Sequence, residues 1–334
     1  MKYSFSYIAL MCLVCVASCA KMEEIEPTLA QSVCYDVTSS KVVVAFPKEF
    51  SFYSTAYYLR SGSWDDNKSS ASIYRDGWDR LQNQKVSFSE SLWCTQTEFH
   101  WPSTGTLTFF SYRQPKVTPS ITVDGISFSG WNVSTYRSQP FDDQTILVAD
   151  IAKDKKKNET LGSYSGVPTH FKHKLAKLTF KAAISPYAQG DPTIIIKHVY
   201  LTGIYLKGDY KRGGYDNDSW SNLSSLSSTG YDVSSTKTAL TASSVVLGDS
   251  MVMIPQMLSD SASLVIEYTS TINGVSEDKS ATLLFVNHFR TSEWDMGFSY
   301  TYTIYVGVGQ YPIDFTGSVE NWTHASGSDV NVGE

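Results

Sequence analysis

The chain has 334 residues, a formal net charge of −6 and five cysteines. That length suits one large or two ordinary domains. Lys and Arg are outnumbered 27 to 33 by Asp and Glu, and this acidic balance argues against a nucleic-acid partner, whose phosphates call for clustered Lys and Arg.

In chain order, the first feature is Met1-Lys2 followed by an apolar run from Ile8 to Val16. It is far shorter than the roughly 18–20 apolar residues that span a bilayer and has the form of a secretory signal peptide. Val16-Ala17-Ser18-Cys19 resembles the lipobox of bacterial lipoproteins, in which the cysteine is acylated, palmitate being one such chain, and becomes the first residue of the mature protein. Each buried methylene of such a chain is worth about 0.8 kcal/mol, so two or three chains anchor stably. Lys21-Met22-Glu23-Glu24 is similar to the acidic signal that sends some Bacteroidota lipoproteins to the outer face of the outer membrane; the alternative is a plain solvated tether. Cys12, Cys15 and Cys19 belong to this leader, which leaves Cys34 and Cys94 as a candidate disulfide of an exported protein.

From residue 41 onward, period-two alternation dominates. "KVVVAFPKE" (41–49) sets Val42, Val44 and Phe46 on one face, and "FSFYSTAYYL" (50–59) is a second strand-like run. In "KLAKLTFKAA" (174–183), Ala176, Leu178, Phe180 and Ala182 oppose Lys177, Thr179 and Lys181. "SLVIEYTS" (263–270) and "IDFTGSVENW" (313–322) alternate in the same way, the latter with Ile313, Phe315 and Val319 on one face. Half-buried strands of this kind suit antiparallel sheets, and no long stretch repeats every three to four residues. The predicted fold is all-β. The charged, then Gly/Ser-rich segment 153–166 is the best domain break, and "KGDYKRGGYDNDSWSNLSSLSSTG" (207–230) reads as a long exposed loop. The resulting division is a signal peptide at 1–18, a lipidated tether at 19–37, an N-terminal β-sandwich at 38–165 and a C-terminal β-sandwich at 166–334.

Motifs for chemistry are few. His170 and His173 form an H-x-x-H pair, but an odd offset sends them to opposite faces of a strand. There is no H-E-x-x-H, no zinc-like cysteine spacing, no nucleophile elbow and no phosphate-cradling loop. Asp65-Asp66 and Asp142-Asp143 are neighbouring acids of the kind usually just solvated. "YDNDSW" (215–220) opens like a calcium loop but has Ser227 where the twelfth-position Glu is needed. No metal, no cofactor and no enzymatic activity is implied. Eight tryptophans either cap a sandwich core or, as with Trp220, offer a platform for a sugar or a protein.

The ordered pieces "WPSTGTLTFFSYRQP" (101–115), "QTILVAD" (144–150), "VPTHFKHKLAKLTFKA" (167–182), "VMIPQMLSDSASLVIEY" (252–268), "WDMGFSYTYTIYVG" (294–307) and "IDFTGSVENW" (313–322) resemble the fimbrillin family of Bacteroidota, lipoprotein subunits of surface pili and related adhesins. The resemblance implies two tandem antiparallel β-sandwich domains of transthyretin-like type, no catalysis, and a place in a fimbrium at the outer membrane. It also implies partnership with other fimbrial subunits by strand exchange, and a host or bacterial surface ligand for an adhesin. In pilus-building members a trypsin-like protease cuts after an arginine and removes the first strand, opening a groove for a strand of the next subunit. The first arginine after Cys19 is Arg60, the candidate processing site here, although a cut there removes about two strand-like runs. The tail after Trp322 is polar and poor in apolar anchors, which favours a tip, anchor or free-standing member over a stalk subunit; a stand-alone glycan- or protein-binding lipoprotein is the alternative. Ser250 and Ser261, in Asp249-Ser250-Met251 and Asp260-Ser261-Ala262, are candidate O-glycosylation sites of the kind found in exported Bacteroidota proteins.

Overall fold

A computed structural model describes residues 32–39, 44–157, 166–213, 217–307 and 313–322. The chain is nearly all β. Its principal strands are β1 (Cys34–Ser39), β2 (Ser51–Leu59), β3 (Gln84–Ser89), β4 (Leu92–Thr95), β5 (Thr106–Arg113), β6 (Gly125–Asn132), β7 (Leu147–Ala149), β8 (Ala152–Lys155) and β9 (Val167–His173). They continue with β10 (Ala176–Ile184), β11 (Thr193–Thr202), β12 (Tyr205–Gly213), β13 (Asp218–Leu226), β14 (Tyr231–Ser234), β15 (Ser263–Ile272), β16 (Val275–Leu284), β17 (Phe298–Val306) and β18 (Ile313–Asn321).

The first sheet follows the path β8-β5-β7-β9-β1-β4-β3-β2, and a further pairing of β2 with β5 closes β5-β7-β9-β1-β4-β3-β2 into a ring. One face of each strand points into it: Tyr35 and Val37 of β1, Phe52 and Ala56 of β2, Trp93 of β4, Leu107 and Phe109 of β5, and Val167 and Phe171 of β9 form one buried cluster. Every residue of β5 is buried, because its other face also lies in a core. Phe110 and Tyr112 belong with Ile126, Phe128 and Trp131 of β6 and Tyr210 of β12 in a second, larger cluster.

That second cluster continues into two further sheets. One is built on β10-β17-β18 and the other on β14-β11-β15-β16. Leu178, Phe180, Tyr302 and Ile304 from the first share the cluster with Ile194, Ile196, Leu264 and Ile266 from the second, so alternate residues of these strands meet face to face. Not every pairing is antiparallel as expected: β1 with β9 and β10 with β17 run parallel. Nor is the polar face of β10 fully wet. Lys177 is 5% exposed and its ammonium lies over the Phe141 ring at 5.7 Å, beneath the short helix Phe141–Gln144.

The segment read as a long loop from 207 is instead the β12–β13 hairpin, which pairs with β6. Its inward positions are Gly208, Tyr210 and Arg212, a glycine and a charge where an apolar pattern shows aliphatics, so the alternation was hidden. Gly125, at φ +138°, faces this hairpin so closely that a Cβ would sit 1.8 Å from the Arg212 carbonyl oxygen. The first sheet likewise extends beyond both ends of the stretch 38–165: it starts at β1 and takes in β9, and residues 152–155 of the expected break are strand β8.

Arg212 is 1% exposed and is held by two carboxylates. Its Nη2 donates to Asp150 Oδ1 at 2.9 Å and its Nη1 to Asp218 Oδ2 at 3.1 Å. Lys174 Nζ donates to Asp218 Oδ2 and Lys172 Nζ to Asp150 Oδ1, both at 2.7 Å, while the Tyr210 hydroxyl donates to Asp218 Oδ1 at 2.6 Å. The network ties the hairpin to the turn after β7 and to the β9–β10 junction. Burial by itself would raise the Asp150 carboxyl, but the Lys172 hydrogen bond and the charges of Lys172 and Arg212 outweigh it and hold the group below the usual range. Burial pushes the Lys174 ammonium down to about 8 against the pull of Asp218.

Two outcomes follow for stability. Phe110→Ala removes a ring from the shared core and should cost about 3–5 kcal/mol in chemical denaturation. For Lys174, the folded-state value of about 8 lies below the unfolded value of about 10.4, so between those limits the unfolded chain binds the extra proton and stability rises with pH. Denaturant midpoints taken from about pH 7.5 to 9, below the range in which the buried tyrosines, raised by burial, begin to oppose it, should show that rise, and Lys174→Met should flatten it.

Candidate functional site

For a chain of strands the sites to inspect are the sheet edges, the terminal strands and the exposed aromatics. β1 is no edge. It pairs with β9 on one side and β4 on the other, and Cys34, opposite Cys94 in register, is joined to it by a disulfide with a Cα–Cα distance of 4.8 Å. Val33, Cys34, Tyr35 and Val37 are buried, so the fold begins inside the stretch 19–37 expected to be tether. Of the strand expected at 41–49, residues 41–43 lie outside the described residues. Val44 and Ala45 pair with the end of β1, and Phe46 stacks on Phe171 at 4.8 Å inside the ring.

Arg60 is exposed directly after β2, a strand paired with both β3 and β5. A cut there would separate β1 and β2 from the rest in sequence, but the disulfide spans the cut. Cys19 and the acidic stretch after it lie outside the described residues. Ser250 is half-buried, 2.8 Å from the Thr179 hydroxyl, on the wall of an open cleft of about 560 Å³ shared with Arg137, Phe141 and Asp249. Ser261 is exposed in a turn beside Ser259.

β18 is the last strand of its sheet, paired with β17 from Phe298↔Asn321 to Val306↔Ile313. Val319 lies opposite Tyr300 and yet is 56% exposed while Tyr300 is 2% exposed, so this part of the strand is uncovered. The strand is then pinned. Trp322 stacks on His173 at 3.6 Å and 6° and donates its backbone N–H to Gly297 O at 2.9 Å.

The candidate chemical residues are absorbed into structure. His170 and His173 contact Thr38 and Thr145, and His198 meets Asp232 at 2.8 Å. Asp65 pairs with Lys153, the Asp142 carbonyl accepts from Arg113, and Asp218 sits in the buried ion network rather than a calcium loop, Asp216 lying outside the described residues. Among the described residues no group of His, Cys, Asp and Glu is arranged to hold a metal ion, and no helix is long and apolar enough to cross a membrane. Trp220, the expected platform, is half-buried, packs on Tyr210 and donates its indole N–H to Lys174 O at 2.7 Å.

Trp78 is different: it is 96% exposed, at the tip of the small hairpin formed by Arg75–Asp76 and Asp79–Arg80. The sequence held a signal for it. Asp76-Gly77 is a tight-turn dipeptide, and an indole in the turn of a two-residue hairpin loop has no sheet face to pack on.

Closely packed sheets, with polar groups consumed in locks between them, define an all-β protein whose free surfaces are edges and loop tips. The model of the fimbrillin-like family matches residues 62–322, and the chain belongs to that family. No curated protein matches it in sequence. Among solved structures, a fimbrial protein from Bacteroides vulgatus ATCC 8482 is similar at a TM-score of 0.62 and 17% identity, over 88% of this chain and 100% of that one. A putative cell adhesion protein from Bacteroides uniformis ATCC 8492 is similar at a TM-score of 0.52 and 16% identity, over 87% of this chain and 98% of that one.

Cutting the folded protein with trypsin gives a direct check on the bridge across Arg60. A product nicked at Arg60 should run as one covalent species on a non-reducing denaturing gel and as two fragments after reduction.

Proposed function

We propose that this chain is a surface-exposed fimbrillin-like lipoprotein that serves as a fimbrial subunit or associated adhesin. It is organised as two tandem β-sandwich units and held at the outer membrane through acylated Cys19. Family membership supports the fimbrial and adhesive role; the lipobox supports the anchor. Its partners are other fimbrial subunits, engaged by donor-strand insertion, and a surface ligand.

The observation that carries the finer reading is the Cys34–Cys94 bond. A groove for a neighbour's strand would have to open between β9 and β4, where β1 now lies. Vacating it requires a protein cut and also a broken disulfide, and disulfides persist in the oxidising compartments an exported protein meets. By the chain-entropy model, closing a loop of this length stabilises the fold by roughly 4 kcal/mol. The molecule therefore works as a tip, anchor or free-standing member that keeps its first strand, and the uncovered end of β18 is where an added strand would pair.

The test uses outer-membrane fractions and intact cells of the native host, treated with a trypsin-like protease and run unboiled and boiled on denaturing gels without reductant. A surface-accessible band of monomer mass is expected; a high-mass ladder that collapses on boiling would show a stalk polymer and sink the reading. Cys19→Ala should move the protein out of the membrane fraction.

A further inference from the structure

We infer that the Trp78 hairpin is a binding site for carboxylate-bearing carbohydrate. The inference deepens the adhesive half of the proposed function and rests on it; the mode of assembly plays no part.

The hairpin is a two-residue turn, Asp76-Gly77-Trp78-Asp79, with Gly77 at φ +59°, the positive first position that a tight turn between twisted strands needs. Its base is rigid. Tyr74 and Leu81 are 6% and 0% exposed, the Tyr74 N–H donates to Ala56 O at 2.8 Å, and the Ala56 N–H donates to Leu81 O at 2.8 Å. The Asp76 carboxylate accepts the His100 backbone N–H at 2.8 Å and lies 2.9 Å from its Nδ1, and the Tyr74 hydroxyl donates to the His100 carbonyl. An indole that ordinary packing would bury is thus held out in water on a fixed stem.

The second observation is the pairing beneath it. Arg75 and Arg80 lie directly opposite each other in register and are exposed. Residues so paired share one face of the ribbon, and like charges there repel. Among the described residues neither guanidinium forms an ion pair, whereas Asp76 on the alternate position is engaged by His100. Two unpaired guanidiniums at one ribbon position are a site for an anion, and the planar forks match a carboxylate in bidentate fashion. The indole face, negative at its centre, accepts the partly positive C–H bonds of a sugar ring. Together they read a sugar that carries a carboxylate. Membrane docking fits less well: interfacial binding draws on a broad apolar face and several basic groups, and here a single indole stands above one pair of arginines.

The experiment uses the full folded chain against immobilised polygalacturonate, hyaluronan and sialyllactose, with neutral galactan and lactose beside them, and against zwitterionic and anionic phospholipid vesicles. Binding to at least one carboxylated glycan is expected. It should quench Trp fluorescence and weaken about tenfold or more, equivalent to roughly 1.4 kcal/mol, in Trp78→Ala. Arg75→Ala/Arg80→Ala should erase the preference for the acidic over the neutral glycan. All three positions are exposed, so an unchanged melting temperature verifies the fold. No binding to any carboxylated glycan, binding indifferent to Trp78→Ala, or binding to vesicles instead would each overturn the inference. A protein that is surface-accessible yet blind to these glycans refutes this site alone; one absent from the cell surface refutes the proposed function.

Discussion

β5 is the strand on which the rest depends. Alternation at period two sends Leu107 and Phe109 into the ring and Phe110 and Tyr112 into the larger core, so a single strand is a wall of both. A strand buried on both faces cannot slip by one residue without exchanging its two sets of side chains. The register of β5 therefore fixes how the N-terminal ring meets everything that follows.

Polar constraint completes what the apolar one begins. The β12–β13 hairpin brings a buried arginine to a place where two connections converge, and each supplies a charge: Asp150 after β7 and Lys174 between β9 and β10. Removing one partner from such a network leaves the others buried and unmatched, which costs more than the network is worth as a source of stability. Its contribution is to specify one docking of the hairpin, and with it the position of β6 against the ring.

Much of this was legible in the amino-acid sequence. The strands at 174–183 and 263–270 announce themselves, because alternating aliphatics meet one core and polar residues the other side. Segment 207–230 did not: in β12 the buried positions are filled by Gly208, Tyr210 and Arg212, residues whose burial depends on partners far away in the chain. β1 was hidden for a related reason, being short, mixed in composition and made a strand by β9 and β4 on either side of it. Trp78 is the converse case. Its type suggests a core; the Asp76-Gly77 turn dipeptide hints otherwise, and the register of Arg75 with Arg80 shows that the turn lifts it clear.

The cystine has a mechanical consequence. A pull applied to the N-terminal end reaches the fold at Ser32 and Val33, which pair with His100 and Phe99, and then passes through the sulfur bridge from Cys34 to Cys94, 60 positions further along the chain. The intervening loop, with β2, β3 and the Trp78 hairpin, is left out of the load path. A molecule pulled from that end would thus strain its later sheets while the segment that carries the exposed indole is bypassed by the covalent bridge.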